Sequence, residues 1–339
     1  MRTLWNNKGI RRTYTVTILF IILSLVSILI SLDTGTIPLS PLEVINTFLG
    51  KGDFYSETVL FDYRLPRILI TILAGIGLGI SGAILQGLSR NPLADPGIIG
   101  LNTGSAFGLM IFITYFHSLN EHASLYIPLF TFIGGVLAAL VIILLTYNKQ
   151  QGIIPIRLIL VGIAVSAGFS AATLFLSLRL DEETYTFASR WLVGNVWARD
   201  WVHVITLLPW ILVLGPLSWF QSRTLDALSL GDQVASSLGA SVQKNRLLLL
   251  AIAVGLSSAS VAMAGGIGFI GLVAPHLARR LVGPLYRHFL PLSALIGLLI
   301  LVVADTIGRN IFEPNSIPAG VVVAAVGAPY FLYLLMKTK

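Results

Sequence analysis

The 339-residue chain has no cysteine. That excludes disulfides, a thiolate nucleophile and any cysteine-ligated metal. Charge is scarce as well: Asp, Glu, Lys and Arg make up 11% of the residues, against about 25% in an ordinary soluble domain. With 55% hydrophobic residues there is too little polar surface to cover a water-soluble globule, whereas the same side chains suit hydrocarbon as their solvent. The sequence also lacks a Gly-x-x-x-x-Gly-Lys-Ser/Thr phosphate loop and a His-Glu-x-x-His pair. Its five histidines, His117, His122, His203, His276 and His288, are scattered. They read as packing or interfacial residues, with His276, beside Pro275 near a helix start, the one to follow. Neither a metal centre nor a cofactor is expected.

What the chain has instead is long apolar runs. Mean hydropathy is +0.87, and about 20 apolar residues cross a bilayer as a helix. Ten candidate spans lie near 14–32, 65–88, 96–116, 124–146, 155–178, 201–220, 246–265, 268–282, 289–308 and 318–336. Alternating ten-residue strands are absent, so a barrel is excluded and the expectation is an all-α, polytopic membrane protein. The basic start followed by an apolar run is long for a signal peptide and has no small-x-small cleavage site, so it reads as a retained first span. With the N-terminus inside, fifteen of the 22 Lys and Arg fall in inner segments, which predicts N-in and C-in. The net charge of +7 then reflects cytoplasm-facing cations rather than nucleic-acid binding. The chain reads as a single membrane domain over 1–339, with an extracytoplasmic segment at 33–63 and a cytoplasmic one at 221–245.

One motif invites a different reading. Gly266-x-Gly268-x-x-Gly271 has the spacing of a dinucleotide-binding fingerprint. Such a site needs a strand before the glycines and an acid about 20 residues after them. Here LLLLAIAVGLSSASVAMA precedes and FLPLSAL follows. The glycines suit a sharp turn between helices and close backbone packing. Gly75-x-x-x-Gly79 and Gly104-x-x-x-Gly108 likewise suit close helix contact. A weak echo between GLGISGA (77–83) and VGLSSAS (254–260) hints at related halves.

Three stretches are more specific: YRLPRILITILAGIGLGISGAILQGLSRNPLADPGIIGLNTGSAFG (63–108), SLGDQVASSLGAS (229–241), and GGIGFIGLVAPHLARRLVGP (265–284) continuing through VADTIGR, IPAG and GAPYFLYLL. In this shared order they resemble the permease subunits of the ABC importers for iron-siderophores, haem and vitamin B12, over nearly the whole chain. By themselves Arg64, Arg67 and Arg309 read as helix-end cations reaching lipid phosphates. The resemblance implies instead that they dock an extracytoplasmic binding protein through its carboxylates, a role suited to planar guanidinium donors. It also implies that 229–241 couples to a separate ATPase, with Gly231, Asp232, Ala235, Leu238 and Gly239 as contact candidates. The glycines at its ends let a short helix turn back on itself.

Pathway and gate candidates are less sharply marked. Gln86, Asn91, Asp95 and Asn102 surround NPLADP, where Pro92 and Pro96 interrupt helix. They read first as structural hydrogen-bonding groups and second as a gate. The fifth span carries Gly162, Ser166, Gly168 and Ser170, small residues that suit a wide cavity or equally close packing. Asp305, four residues before Arg309, reads as one half of an i,i+4 pair. Similar permeases often carry a glutamate before the IPxG motif, whereas this chain has Ser316 there and Glu313 three residues earlier. The resemblance further implies a second copy or a related permease as dimer partner, the bacterial cytoplasmic membrane as location, and a ferric siderophore as solute, with haem and cobalamin as alternatives. An ion-coupled secondary carrier would need path-lining carboxylates, and a membrane enzyme would need clustered polar groups. Asp305 alone gives little support to the first, and the second has none.

Overall fold

The backbone polar groups of an apolar run find partners within the run itself only as helix, and helix dominates the computed structural model, which describes residues 2–35, 39–97, 100–116, 123–150, 152–311 and 316–337. In chain order the elements are α1 (Arg2–Asp33), α2 (Pro41–Phe48), α3 (Phe54–Glu57), a π-helical stretch (Thr58–Arg64), α4 (Leu65–Ser89), α5 (Leu101–Tyr115), α6 (Ala123–Thr146), α7 (Pro155–Ser177), α8 (Glu182–Leu192), α9 (Trp201–Phe220), α10 (Ser222–Ser229), α11 (Asp232–Ser237), α12 (Val242–Ala264), α13 (Ile270–Val282), α14 (Tyr286–Asn310) and α15 (Ala319–Lys337). A two-residue antiparallel hairpin, β1 (Tyr147–Asn148) with β2 (Gly152–Ile153), joins α6 to α7.

Each of the ten apolar runs carries one helix. Among the described residues, eight helices are long and apolar enough to cross a membrane, and the protein is an all-α polytopic membrane protein. The other two runs form shorter helices, α5 with 15 residues and α13 with 13. The expected 96–116 span therefore loses its first turn. Pro92 and Pro96 cannot supply backbone N–H donors there. Residues 91–97 instead fold on their own side chains, Asn91 Oδ1 accepting from Leu93 N at 2.9 Å and Asp95 Oδ2 from Gly97 N at 2.9 Å. The two polar segments are not plain loops either. The first holds α2, α3 and the π-helical stretch, and the second holds α10 and α11.

The bundle is built around α4 and α12. In each, 83% of the most apolar window is buried, against 17% for α7. Small residues set how closely these helices approach, since helix association in lipid relies on van der Waals contact rather than on hydrophobic burial. A Cβ at Gly75 would lie 2.6 Å from the Gly297 carbonyl oxygen of α14. At Gly82 it would need the space held by the Gly271 carbonyl of α13. The echoing GLGISGA and VGLSSAS segments face one another across the α4–α12 contact, where Ser81 Oγ donates to the Ala253 carbonyl at 2.8 Å. Gly104 and Gly108 meet α6 in the same way. Both Gly-x-x-x-Gly pairs thus serve contacts within the chain.

Candidate docking and coupling side chains gather at the two ends of this bundle. One end holds the C-terminus of α1, the π-helical stretch, α8, the start of α9 and the C-terminus of α14. Asp200 caps α9 there, accepting from His203 N at 3.3 Å. The other end holds the C-terminus of α4, the hairpin, α10, α11 and the start of α12.

Candidate functional site

At the first end, α1 stops and leaves its last carbonyls without helical partners. Arginines from two other elements take them up. Arg64 donates through Nη1 to the carbonyls of Leu32 and, at 3.1 Å, Asp33. Arg309 donates through Nη2 to the Ser31 carbonyl at 3.1 Å and its Oγ at 2.7 Å, and through Nη1 to Thr34 O at 3.3 Å. Cations at a helix C-terminus also meet the negative end of its dipole. Arg67 makes a two-pronged contact with Asp305, Nε at 3.1 and 3.0 Å from the two carboxylate oxygens and Nη2 at 2.7 Å from Oδ1.

The three sequence-selected arginines therefore do come together, but their donors are largely committed within the chain. Arg64 and Arg309 are buried. The anticipated Asp305–Arg309 pair is present at 3.3 Å, yet Arg67 holds Asp305 more closely, a contact that spacing along α14 could not reveal.

These arginines line a cavity of about 360 Å³ together with Tyr63, Trp197 and Arg199. Arg199 was not anticipated. It follows Ala198, whose φ of 57° turns the chain into the left-handed region. Its Nη2 donates to the Asn195 carbonyl at 3.4 Å and its Nη1 lies 3.2 Å from His203 Nε2. Burial pulls its guanidinium down to about 10, against an upward push from Asp200, so it stays charged at neutral pH. Four guanidinium groups share this cavity, and the buried Asp305 carboxylate pairs with two of them.

At the opposite end, Gly231 and Gly239 have φ of +115° and +84°, a region that a side chain makes costly, and α11 runs between them. Ala235 is fully buried. That overturns it as a surface contact: it faces inward from α11. Leu238 is exposed at 67% and follows by one turn a residue that was missed, Val234 at 44%; Leu230, also missed and 65% exposed, ends α10 on the other side of Gly231. The i, i+4 spacing of Val234 and Leu238 was readable in the sequence. Asp232 does not project freely. Its Oδ1 accepts from Arg90 Nη2 and, at 2.7 Å, from Arg246 Nη2. Burial alone raises its pKa, but the hydrogen bonds and charges of Arg246 and Arg90 outweigh this and hold the carboxyl below its ordinary range.

Between the ends, the pathway candidates separate into two groups. Asn102 and Ser170 line a cavity of about 340 Å³ bounded by α5, α7 and α8, with Thr103, Ser177, Tyr185 and Trp191. Gly168 sits on the exposed face of α7 with nothing within 4 Å of where a Cβ would stand. Gly162 and Ser166 instead pack against Gly100: its Cβ position lies 3.3 Å from the Gly162 carbonyl and 2.8 Å from Ser166 Oγ. Gln86 is buried and donates to the Leu272 carbonyl at 3.2 Å, which ties α4 to α13. Asn91 and Asp95 shape the 91–97 turn described above.

Gly266 and Gly268 of the glycine fingerprint lie in the turn between α12 and α13 and Gly271 in the first turn of α13, with a helix and not a strand before them. His203 caps α9 with Asp200, Nδ1 to Oδ1 at 2.6 Å, and His276 lies edge-on to Tyr330. His117, His122 and Glu313 lie outside the described residues. Among the described residues no group of three or more His, Cys, Asp or Glu could hold a metal ion.

Comparison with known proteins decides the family. Residues 22–337 match the sequence model of the FecCD transport family. The chain belongs to that family. The iron(3+)-hydroxamate import system permease protein FhuG of Bacillus subtilis is 44% identical over 94% of this chain and 95% of its own length. The iron-uptake system permease protein FeuC of the same organism is 42% identical over 95% and 97%. The Fe(3+) dicitrate transport system permease protein FecD of Escherichia coli is 38% identical over 95% and 98%. Among solved structures, a metal-chelate type ABC transporter in an inward-facing conformation superposes with a TM-score of 0.83 at 30% identity, covering 95% of this chain and 99% of that one. A FecCD chain of this kind is a multi-pass transport subunit, and the arginine cavity, the exposed residues of α11 and the α5–α7–α8 cavity are features of that subunit.

Proposed function

We propose that the chain is the permease subunit of an ATP-driven importer of ferric siderophores in a bacterial cytoplasmic membrane. The observation that carries this is the match, over 94–95% of the chain, to an iron(3+)-hydroxamate permease, an iron-uptake permease and an Fe(3+) dicitrate permease from two organisms. The sequence has no phosphate loop, so separate ATPase subunits supply the energy. Exposed Val234 and Leu238 on α11 and Leu230 at the end of α10 give them apolar contacts. The cation bias along the sequence supports placing α11 in the cytoplasm with both termini, and counting α5 and α13 as short crossings gives ten in all. The arginine cavity then faces outward, and its excess of guanidinium over carboxylate favours an acidic patch on a solute-binding protein. The exposed small-residue face of α7, with Gly168 and Ser170, suits the side that meets a second permease and lines the path. ATP binding and hydrolysis would switch that path between faces.

The test is radioactive iron uptake in the source cell with and without the gene, across ferric hydroxamates, catecholates and citrate, with haem and cobalamin alongside. Loss for one ferric chelate class, restored by the intact gene, supports the assignment. Loss confined to haem or cobalamin replaces the solute and keeps the importer.

A further inference from the structure

The junction where α11 meets the rest of the chain carries an arrangement that docking to an ATPase does not require. Asp232, the first residue of α11, is held by two arginines from distant parts of the sequence. Arg246 is buried near the start of α12, and its Nη1 also donates to the Ile153 carbonyl of the hairpin at 2.6 Å. Arg90 ends α4, and its Nε also donates to the Leu228 carbonyl of α10 at 3.1 Å. One carboxylate thus joins α11 to α4, α10, α12 and the hairpin.

The backbone at Arg90 sharpens the point. It has φ 50° and ψ 30°, the left-handed conformation at a helix C-terminus. Glycine is the low-strain residue for that position. Arginine is strained there, yet only a long cationic side chain could span from it to both Leu228 and Asp232. The next residues, 91–97, form the proline-broken turn that leads into α5 and to Asn102 at the cavity.

We propose that Asp232 is a positioning residue for energy coupling: clamped between Arg90 and Arg246, it makes α11, the end of α4 and the base of α12 move as one body, so that displacement of α11 is delivered to the 91–97 turn and the α5–α7–α8 cavity. Asp232 acts through the two arginines and not by touching the ATPase. This deepens the permease reading and rests on it.

The experiment uses the full chain with its ATPase subunits and binding protein in proteoliposomes, with a ferric hydroxamate as solute. Arg90→Gly removes one arm of the clamp while relieving the backbone strain, so it is not expected to endanger folding. Asp232→Asn removes the charge and keeps the shape, and Asp232→Glu restores the charge. The clamp predicts that Arg90→Gly and Asp232→Asn retain bound ATPase subunits and hydrolyse ATP within twofold of wild type. Iron taken up per ATP should fall at least fivefold, and Asp232→Glu should recover at least half of it. Wild-type uptake per ATP in both variants overturns the clamp. So does loss of the ATPase subunits from Asp232→Asn alone, which would make Asp232 a direct contact.

A second readout does not depend on transport. Because the chain has no cysteine, spin labels at Ser229→Cys and Leu93→Cys report the α10–turn distance cleanly. A narrow distribution that broadens in Arg90→Gly and Asp232→Asn supports the clamp. An unchanged distribution overturns it, even if the wild-type complex were to transport no solute and the permease reading itself failed.

Discussion

Replacing Asp305 with alanine should destabilise the protein more than any other single loss of charge at the arginine end. The Asp305 side chain is 1% exposed, and the Arg67 side chain beside it is 13% exposed. The substitution removes three N–H···O contacts to Arg67, at 3.1, 3.0 and 2.7 Å, and the 3.3 Å pairing with Arg309. It leaves two buried guanidinium groups near one another with no counter-charge. Breaking a buried pair from one side costs about 3–5 kcal/mol. Arg67 borders the cavity and can draw on water there, which places this site at the lower end, about 3 kcal/mol. At about 2.1 cal/mol/K of unfolding entropy per residue, 339 residues shift by about 1.4 °C per kcal/mol, so the melting temperature in detergent should fall by about 4 °C. The double variant Arg67→Met, Asp305→Leu should recover part of the loss, because Arg67 is then no longer stranded, while Arg309 loses its carboxylate but keeps its bonds to Ser31 and Thr34. Thermal unfolding followed by size-exclusion checks both. A melting temperature unchanged in Asp305→Ala, or a double variant no better than the single, would refute the structural account. Asp305→Asn that melts normally but abolishes uptake would instead favour a proton-carrying role.

Four further outcomes follow from the same geometry. Gly82→Val should abolish folded expression, because its side chain would displace the Gly271 backbone, while Gly168→Ala should express and melt as wild type; detergent-soluble yield and melting temperature separate them. Aspartate at Leu230, Val234 and Leu238 together should release the ATPase subunits on copurification and leave the permease melting temperature within about 2 °C. Arg199→Gln should weaken binding-protein affinity about fivefold, as for one partly screened charge, with little change in stability; surface plasmon resonance on nanodiscs reads the first. Asp232→Asn should be less stable than wild type at pH 7. The folded pKa of Asp232 is depressed, so its contribution is fully present above the unfolded value of about 3.9 and is lost as pH falls through the folded value. The gap in melting temperature should therefore hold from pH 7 to about 5 and close below about 4.

Much of this protein was legible in its sequence, for identifiable reasons. Helices in lipid are specified by long apolar runs, so all ten runs were placed. Span 96–116 was too long because hydropathy does not register the proline-broken turn ahead of Leu101. The motif order gave the family, and the positions of Arg64, Arg67 and Arg309 gave their meeting at one end. What they touch was not legible. The carbonyls of Ser31 to Thr34 that bind Arg64 and Arg309 belong to a helix end some 30 to 280 positions away in the chain, and backbone groups leave no signature in composition. Asp232 was read as a contact because the resemblance makes 229–241 the coupling segment, whereas its partners Arg90 and Arg246 lie far away in the sequence, at the end of α4 and the start of α12. Ala235 was misplaced because a six-residue helix gives too short a pattern to show which face turns inward. Val234 could have been found, since it stands one helical turn before Leu238.

The most direct test of the central claim is solute uptake into proteoliposomes that hold the permease with its ATPase subunits and binding protein. They would be loaded with ATP in one arm and given a proton gradient without ATP in the other. The account predicts ferric siderophore accumulation with ATP, none with the gradient, and none with ATP when the ATPase subunits are omitted. Accumulation driven by the gradient alone, with the permease as the sole protein, would contradict it.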